Sequence, residues 1–493
     1  MKKYPFLLLF FGAFIAFLQA EPQEVFSRSF MFTRPAYYYI ALDQQLWHNF
    51  AYSKEGPLYG GMQLIGLYQN SRPRDKVARY FLIDNKNELL VAGDNTDFFF
   101  SRDIRAEWVN LPSNFQGKLS VCPAQQQLGF KLFYNQDLKA FFDISFLKDW
   151  SVGIELPMIM IENNLNFCQF DMSGTATSDG EVPTIFDAFN QQTWNFAKIP
   201  TYKQDKIQPA AAILTLGRSI MDYDCFQLAS RLSLDIPLGK NQDGKYLFEP
   251  FVGMNGHVGM GGALFMQILL NTNPEKFALS MFLNLDGTYY FRNRQYRTFD
   301  LKEKPWSRYM QYTRKNSSPG VTIPGVNILT LKTVVRPFGF ADFSVGWRVK
   351  TGPFEFEFGY DLWGFGGETL KLDADSIDSP FNRPCGGLNE FGIAGNGTII
   401  EKGKEIAATA SKSSINCLAT DDTEFVGIDK NDIDLCSAAA GSILNHKVHG
   451  AAGIQHIGDR MNGFAGFGFF FEFPQKNSSL ATYGAWFKIG GTF

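Results

Sequence analysis

Three features of the 493-residue sequence predict an all-β fold, namely a transmembrane antiparallel up-and-down β-barrel. Segments of about ten residues alternate apolar with mixed side chains, as strands do when their two faces meet different surroundings. Tight turns join several of these segments in succession, which favours a meander over crossover connections. The amino terminus has the pattern of an export signal. We count about 12–16 membrane-spanning strands, with about 14 as the best estimate.

The first twenty residues are predicted to be a secretory signal peptide. Lys2 and Lys3 precede an apolar core, and Ala20 supplies a small residue before the cleavage point. We therefore expect Glu21 to be the first mature residue. Beyond residue 20, no apolar run is long enough for a membrane helix. The predicted organisation is a signal peptide over residues 1–20, an N-terminal segment over 21–56 and a single barrel over 57–493.

A short amphipathic helix is predicted within the N-terminal segment, over residues 36–50. Apolar side chains recur there at helical spacing, and Pro35 suits the first turn. The apolar positions are Tyr39, Leu42, Leu46 and Phe50. Such a helix could lie against the barrel, inside it or at the membrane interface.

The clearest strands are residues 339–350 and 353–363. Aromatic and aliphatic side chains occupy one face of each, and charged or small polar side chains occupy the other. We predict strands at 58–69, 79–92 (two short strands), 98–109, 127–135, 138–146, 150–158, 213–220, 225–237, 248–271 (a hairpin), 277–293, 325–335, 339–350, 353–363, 463–473 and 482–493.

Three irregular stretches separate the predicted strands: 163–209, 294–324 and 364–445. Outer ends of membrane barrels carry long loops and inner ends carry short turns, so we interpret these stretches as extracellular loops. The third contains Cys385, Cys417 and Cys436. An oxidising compartment permits a disulfide among them, and the pairing stays open.

The last strand ends the chain on an aromatic residue. Phe487, Ile489 and Phe493 share its apolar face. This strand resembles the closing strand of bacterial outer-membrane β-barrel (porin-like) proteins, whose assembly machinery recognises a terminal Phe. The resemblance implies the bacterial cell outer membrane as the location. It also implies outer-membrane lipid and the barrel-assembly machinery as partners, with these three residues as the assembly signal.

If the apolar faces lie outside, the mixed faces line a lumen. Charges on that inner face need water or partners. We predict a water-filled pore, and the alternative is a narrow barrel whose interior charges pair and plug it. The predicted pore-lining residues are Lys131, Lys139, Asp143, Glu155, Arg231, Asp235, Asp286, Arg292, Asp342, Arg348, Lys350, Glu355, Glu357, Asp361 and Lys488.

The leading functional prediction is a porin-like channel for passive diffusion of small hydrophilic solutes. One alternative is a barrel-anchored surface or adhesion protein. Another is a hydrophobic-substrate transporter of the fatty-acid type. Such transporters carry Asn-Pro-Ala near the mature amino terminus, where this chain has Arg34-Pro35-Ala36.

Several classes of function are not expected. The net charge of −3 gives no electrostatic support for nucleic-acid binding. No nucleophile motif marks an enzyme, so we predict no catalytic residues. We also predict no cofactor and no metal site, because the Asp-rich pieces lack the spacing of a calcium loop.

Overall fold

The structure is a computed structural model, and its described residues are 27–46, 60–72, 75–98, 101–140, 142, 144–176, 180–223, 225–271, 277–315, 322–373, 387–393, 398–401, 404–407, 426–456, 458 and 461–493. The predicted signal peptide lies outside these residues.

Twelve antiparallel strands form a closed barrel. Each strand pairs with its neighbours in sequence, and the last pairs with the first, with Gly61 opposite Thr492 and Ser71 opposite Thr482. The strands are β1 Gly60–Ser71, β2 Ala124–Asp137, β3 Trp150–Asn164, β4 Ala211–Tyr223, β5 Phe226–Pro237, β6 Gly259–Leu269, β7 Ala278–Tyr290, β8 Gly339–Thr351, β9 Phe354–Gly366, β10 Ile443–His456, β11 Asn462–Pro474 and β12 Thr482–Thr492. A thirteenth strand, Gln204–Pro209, pairs with the second half of β3.

Alternation along the strands separates an apolar outside from a charged inside. Outward side chains of β9, β11 and β12 include Phe358, which is 64% exposed, and Phe467, which is 61% exposed. The residues between them point inward and are buried, as Glu357 and Glu472 show. An exposed apolar belt around a closed barrel is the surface that lipid covers.

The two ends of the barrel differ. Short turns such as 352–353 lie at the end that holds Gly60 and Phe493, whose backbones exchange hydrogen bonds of 2.9 and 3.0 Å. The opposite end carries the long connections. Because bacterial barrels have short periplasmic turns and long extracellular loops, we call the first end the periplasmic end and the second the extracellular end.

The described residues of the long connections, 72–123, 165–210, 238–258, 291–338 and 367–442, fold together into what we call the cap. It has two hydrophobic cores, one around Phe189 and Trp306 and the other around Tyr312 and Phe391. Its strands are Glu88–Ala92, Ile104–Arg105, Gln116–Ser120, Cys168–Ser173, Asn293–Thr298, Asp300–Leu301, Gln311–Arg314, Ile323–Pro324, Thr330–Arg336, Thr369–Leu372, Phe391–Ile393, Thr398–Glu401, Lys404–Ala407, Val426–Gly427 and Ile433–Asp434.

All helices among the described residues are short. The α-helices are α1 Ile40–Gln44, α2 Ala78–Phe81, α3 Ile185–Ala188 and α4 Gly325–Leu329. The 3-10 helices are Asp75–Val77, Ile83–Asn85, Ala106–Val109, Leu138–Ala140, Ser145–Leu147, Ser307–Tyr309, Leu388–Glu390, Lys430–Asp432 and Leu435–Ala438. In the part of the chain that the structure describes, no helix has both the length and the apolar character to cross a bilayer.

The predicted barrel is confirmed, whereas the estimate of 14 strands is wrong. The described residues of 79–109 and 325–335 belong to the cap, where short apolar segments are buried on both faces, as the adjacent Val91 and Ala92 are. Residues 138–146 form turns instead of a strand. The Asp137 carboxylate accepts a hydrogen bond of 2.8 Å from the Lys139 amide, which ends β2 there.

Three further boundaries are corrected. Residues 259–269 form one strand, not a hairpin. The first three residues of β10, 443–445, lie within the predicted loop 364–445, and the small residues at 450–453 leave the rest of β10 without the contrast between faces that predicts a strand. The predicted helix over 36–50 is reduced to Ile40–Gln44, and residues 47–50 lie outside the described chain.

Candidate functional site: the occupied lumen

Residues 27–46, which we call the inner segment, run through the barrel. Tyr37, Tyr39 and Leu42 of this segment are buried among inward side chains of the strands. The alternation of the strands supplies those partners, because every second residue points to the axis. The lumen is therefore occupied by protein at the level of the inner segment.

Arg34 fixes the inner segment near the extracellular end. Its guanidinium lies 2.7 Å from the Asp342 carboxylate and 3.4 Å from that of Glu472. Its Nε donates a hydrogen bond of 2.9 Å to the Tyr38 carbonyl. Lys447 also pairs with Glu472, at 2.9 Å. These charges are buried and each lies within ion-pair distance of an opposite charge, which offsets part of the cost of burying them.

A tyrosine pair and one carboxylate form the next layer. The hydroxyl of Tyr290 on β7 donates a hydrogen bond of 2.8 Å to the Tyr38 hydroxyl. It also lies 3.0 Å from Asp235, and Tyr38 itself donates to the same carboxylate. A carboxylate of β5 thereby holds the inner segment from the side opposite to Arg34.

The middle of the lumen holds a four-membered charge cluster. Lys131 contacts Asp43 of the inner segment and lies 3.3 Å from Glu155. Arg231 lies 3.1 Å from Glu155 and 3.8 Å from Asp43. Two cations and two carboxylates alternate here, so attraction outweighs like-charge repulsion.

Lys488 binds the carboxyl end of helix α1. Its ammonium group donates hydrogen bonds to the carbonyl oxygens of Leu42 and Gln45. These carbonyls have no partner inside a helix this short, and a cation is the favourable group at a helix carboxyl end. Lys488 on β12 thus joins the inner segment to the seam of the barrel, where β12 pairs with β1.

The periplasmic part of the lumen has its own network. Arg348 lies 2.9 Å from Glu357 and 3.3 Å from Glu355. Gln45 donates to Glu357 at 2.8 Å, and Gln455 donates to the Leu46 carbonyl at 2.8 Å. The inner segment is therefore bound along its whole described length.

Most of the predicted pore-lining residues point into the lumen, and most of those bind the inner segment or one another. Their predicted role in lining an open pore is a separate question and stays a prediction. The inward residues are Lys131, Glu155, Arg231, Asp235, Asp286, Asp342, Arg348, Lys350, Glu355, Glu357, Asp361 and Lys488.

Two predicted positions are wrong. Lys139 is exposed in the turn after β2, and Arg292 is exposed beyond the end of β7, because each strand stops before the position that the alternation extrapolates to. Asp143 lies outside the described residues. The assembly-signal residues Phe487, Ile489 and Phe493 all face outward, and their role in assembly stays a prediction.

Several lumen residues were missed. Arg34 and Asp43 stand in a segment without strand periodicity, and Lys447 and His449 belong to the unassigned strand β10. His449 is buried with its Nε2 3.6 Å from the Asp361 carboxylate. The alternation of Lys447 and His449 with half-buried neighbours was the available signal.

A small cavity lies in the lumen among the described residues. Its volume is about 30 Å³, which is room for about two water molecules and no larger solute. Tyr38, Asp235, Asp286 and Arg231 are among its walls. Across the described chain, no three His, Cys, Asp or Glu side chains are placed to hold a metal ion.

The inner face is not charged everywhere. Ile65 and Leu67 on β1, Ile159 on β3 and Ile213 on β4 point inward and pack against Tyr37 and Leu42. They form an apolar stripe across neighbouring strands, and the inner segment covers it.

The barrel wall has an irregularity beside the stripe. β3 pairs with β4 only through residues 150–155 and with Gln204–Pro209 through 158–163. Between these ladders, the Ala210 amide donates a hydrogen bond of 2.9 Å to the Pro157 carbonyl. Pro157 and Pro209 have no amide hydrogen to donate, so the wall loses ladder hydrogen bonds here.

Comparison with known proteins gives only distant structural likeness. No family model matches the sequence, and no curated protein matches it either. An outer-membrane channel from Pseudomonas putida F1 is 9% identical, with a TM-score of 0.33, over 89% of this chain and 96% of that one. The β domain of the Bordetella autotransporter BrkA is 7% identical, with a TM-score of 0.28, over 88% and 99%.

A Pseudomonas aeruginosa FadL homologue is 8% identical, with a TM-score of 0.26, over 88% of this chain and 90% of that one. Similarity at this level carries no argument about what the chain transports. The class follows from the barrel itself, with its closed antiparallel wall, apolar belt and unequal ends. The protein is a bacterial outer-membrane β-barrel.

Proposed function

We propose that this barrel is a channel for a hydrophobic compound and that the inner segment closes it in the present conformation. The apolar stripe carries the proposal. The interior of a channel for hydrophilic solutes is polar, whereas β1, β3 and β4 here contribute apolar side chains to the inner surface. Movement of Tyr37 and Leu42 would expose that surface, which lies beside the cluster of Lys131, Asp43 and Glu155.

The irregularity of the barrel wall at Pro157 supports an exit of the hydrophobic compound sideways through the wall. A hydrophobic compound on the stripe gains nothing by crossing the charged lumen, because the charges would have to be separated. The break between the two ladders of β3 adjoins Ile159 and Ile213 on the inside, and Leu156 outside it is 37% exposed toward lipid. The porin interpretation is not supported, because the inner segment occupies the lumen.

The test compares a hydrophobic with a hydrophilic permeant in the same liposomes. We expect the protein to accelerate entry of the dye 1-N-phenylnaphthylamine while ion conductance stays low. Ile159→Asn together with Ile213→Asn should abolish the acceleration, because both changes place amides on the stripe. Ser233→Asn, on a polar part of the inner face, is the matched control.

Steady ion conductance without dye entry would contradict the proposal and favour a porin. Correctly inserted protein with neither activity would favour the second candidate, a surface protein anchored by the barrel. The cap is the observation behind that candidate, since its two hydrophobic cores make it a folded body in its own right.

A further inference from the structure

The path of the inner segment has a direction. On β2, which runs from the extracellular to the periplasmic end, Gln125 donates to Thr33 at 3.0 Å and Gln127 donates to the Arg34 carbonyl at 3.1 Å. Further down, Lys131 binds Asp43. Residue numbers therefore rise together along both chains, and the inner segment descends toward the periplasm.

Contacts of the inner segment with β8 and β10 show the same direction. Arg34 binds Asp342, which is the fourth residue of β8 counted from the extracellular end. Leu46 accepts a hydrogen bond from Gln455, which is next to the periplasmic end of β10. The chain then continues through residues 47–59 to Gly60, at the periplasmic start of β1.

Above the barrel, the beginning of the inner segment is built into the cap. Ser27 donates to the Asp300 carboxylate at 2.9 Å. The Arg28 amide donates to the Tyr80 carbonyl at 2.9 Å, and the Ser29 amide donates to the Ser437 carbonyl at 2.7 Å. These partners come from three different cap connections, so residues 27–29 lie beyond the strand ends on the extracellular side.

We infer that the inner segment threads the barrel from the extracellular to the periplasmic end, so that the chain enters it from the extracellular side. The inner segment enters through the cap, passes the apolar stripe and reaches the periplasmic end before β1 begins. A tag added before Ser27 should therefore be accessible to an antibody or a protease on intact cells. This inference concerns topology and does not depend on what the channel carries.

The experiment places one epitope tag at three positions of the full chain and detects it on intact cells and after the outer membrane is permeabilised. The test position follows Pro22, just after the predicted cleavage point. The controls follow Gly180 in the cap and Gly352 in a periplasmic turn, where an added side chain meets no atom within 4 Å. Heat-modifiable migration shows that each tagged barrel is folded.

We expect the Pro22 tag to be detected on intact cells as strongly as the Gly180 tag, and the Gly352 tag to be lost from intact cells. An amino-terminal tag that appears only after permeabilisation would overturn the inference. Because processing can remove a tag, a second measurement uses a chain with all six cysteines replaced by Ser. There, Ser29→Cys with Ser437→Cys should form a disulfide on intact cells, and Ser29→Cys with Gly352→Cys should not. The reverse pattern would also overturn the inference.

Discussion

Removing the charge of Arg34 should destabilise the folded barrel more than any surface change. The side chain is 4% exposed and lies between Asp342 at 2.7 Å and Glu472 at 3.4 Å. Met keeps the unbranched apolar stem but has no guanidinium group, so Arg34→Met leaves the Asp342 carboxylate buried without its cation. Breaking one partner out of a buried pair costs about 3–5 kcal/mol. Glu472 keeps Lys447 at 2.9 Å, which places the cost mainly on Asp342.

The double variant with Asp342→Asn separates the pair from the rest of the environment. An amide needs no cation, so Arg34→Met and Asp342→Asn together should cost less than the sum of the two single changes. We expect a coupling of about 1–3 kcal/mol, the size found for residues in direct contact. The measurement is a urea refolding titration in lipid vesicles, with the heat-modifiable band as the signal of the folded state.

Additive free-energy costs of Arg34→Met and Asp342→Asn would refute the pairing of these two residues. They would mean that Arg34 and Asp342 do not meet in the folded protein and that the inner segment is not seated as described. Arg34→Met should also raise ion leak through single barrels in planar bilayers, since it loosens the segment that fills the lumen. A stable variant with unchanged leak would show that the other contacts of the segment suffice to hold it.

Three further predictions concern the belt, the seam and the cap. Phe356→Lys should cost about 2–4 kcal/mol in the same titration if the site lies near the midplane, and no cost would place that face away from lipid. Deletion of Phe493 removes two backbone hydrogen bonds to Gly60 and should lower the amount of inserted barrel in cell envelopes, and an unchanged amount would contradict this. Burial lowers the pKa of His257, which accordingly stays neutral in the folded cap. Protonation favours the unfolded state, so thermal stability should fall as pH drops below the ordinary value of about 6.5, and His257→Gln should abolish this part of the pH dependence.

The barrel wall was the predictable part of the fold. In β8 and β9 one face meets lipid and the other meets a charged interior. Whether a residue is apolar or charged therefore predicts the face on which it lies. The register even pairs Arg348 with Glu357 and Lys350 with Glu355 across adjacent strands. The number of barrel strands was harder to predict from the sequence. Cap segments such as Glu88–Ala92 have the composition of strands, and β10 lacks contrast where Gly450 and Gly453 stand.

The content of the lumen could not be predicted from the same pattern. An inner face rich in charge requires compensation, and alternation cannot tell whether water or protein supplies it. Three consecutive tyrosines, Tyr37 to Tyr39, show no strand periodicity, and the partner of Arg34 on β8 is 308 residues away in sequence.

The number of strands decides whether a barrel lumen is open or filled. Wide barrels of about sixteen strands leave a channel after their own side chains are placed, whereas about eight strands fill themselves. Twelve strands leave a space that one extended segment with a single helical turn can fill. The charges that predicted a watery pore are therefore the groups that hold the inner segment. The alternative of paired interior charges describes this conformation of the lumen, and the apolar stripe beneath Tyr37 and Leu42 marks the surface that its opening would uncover.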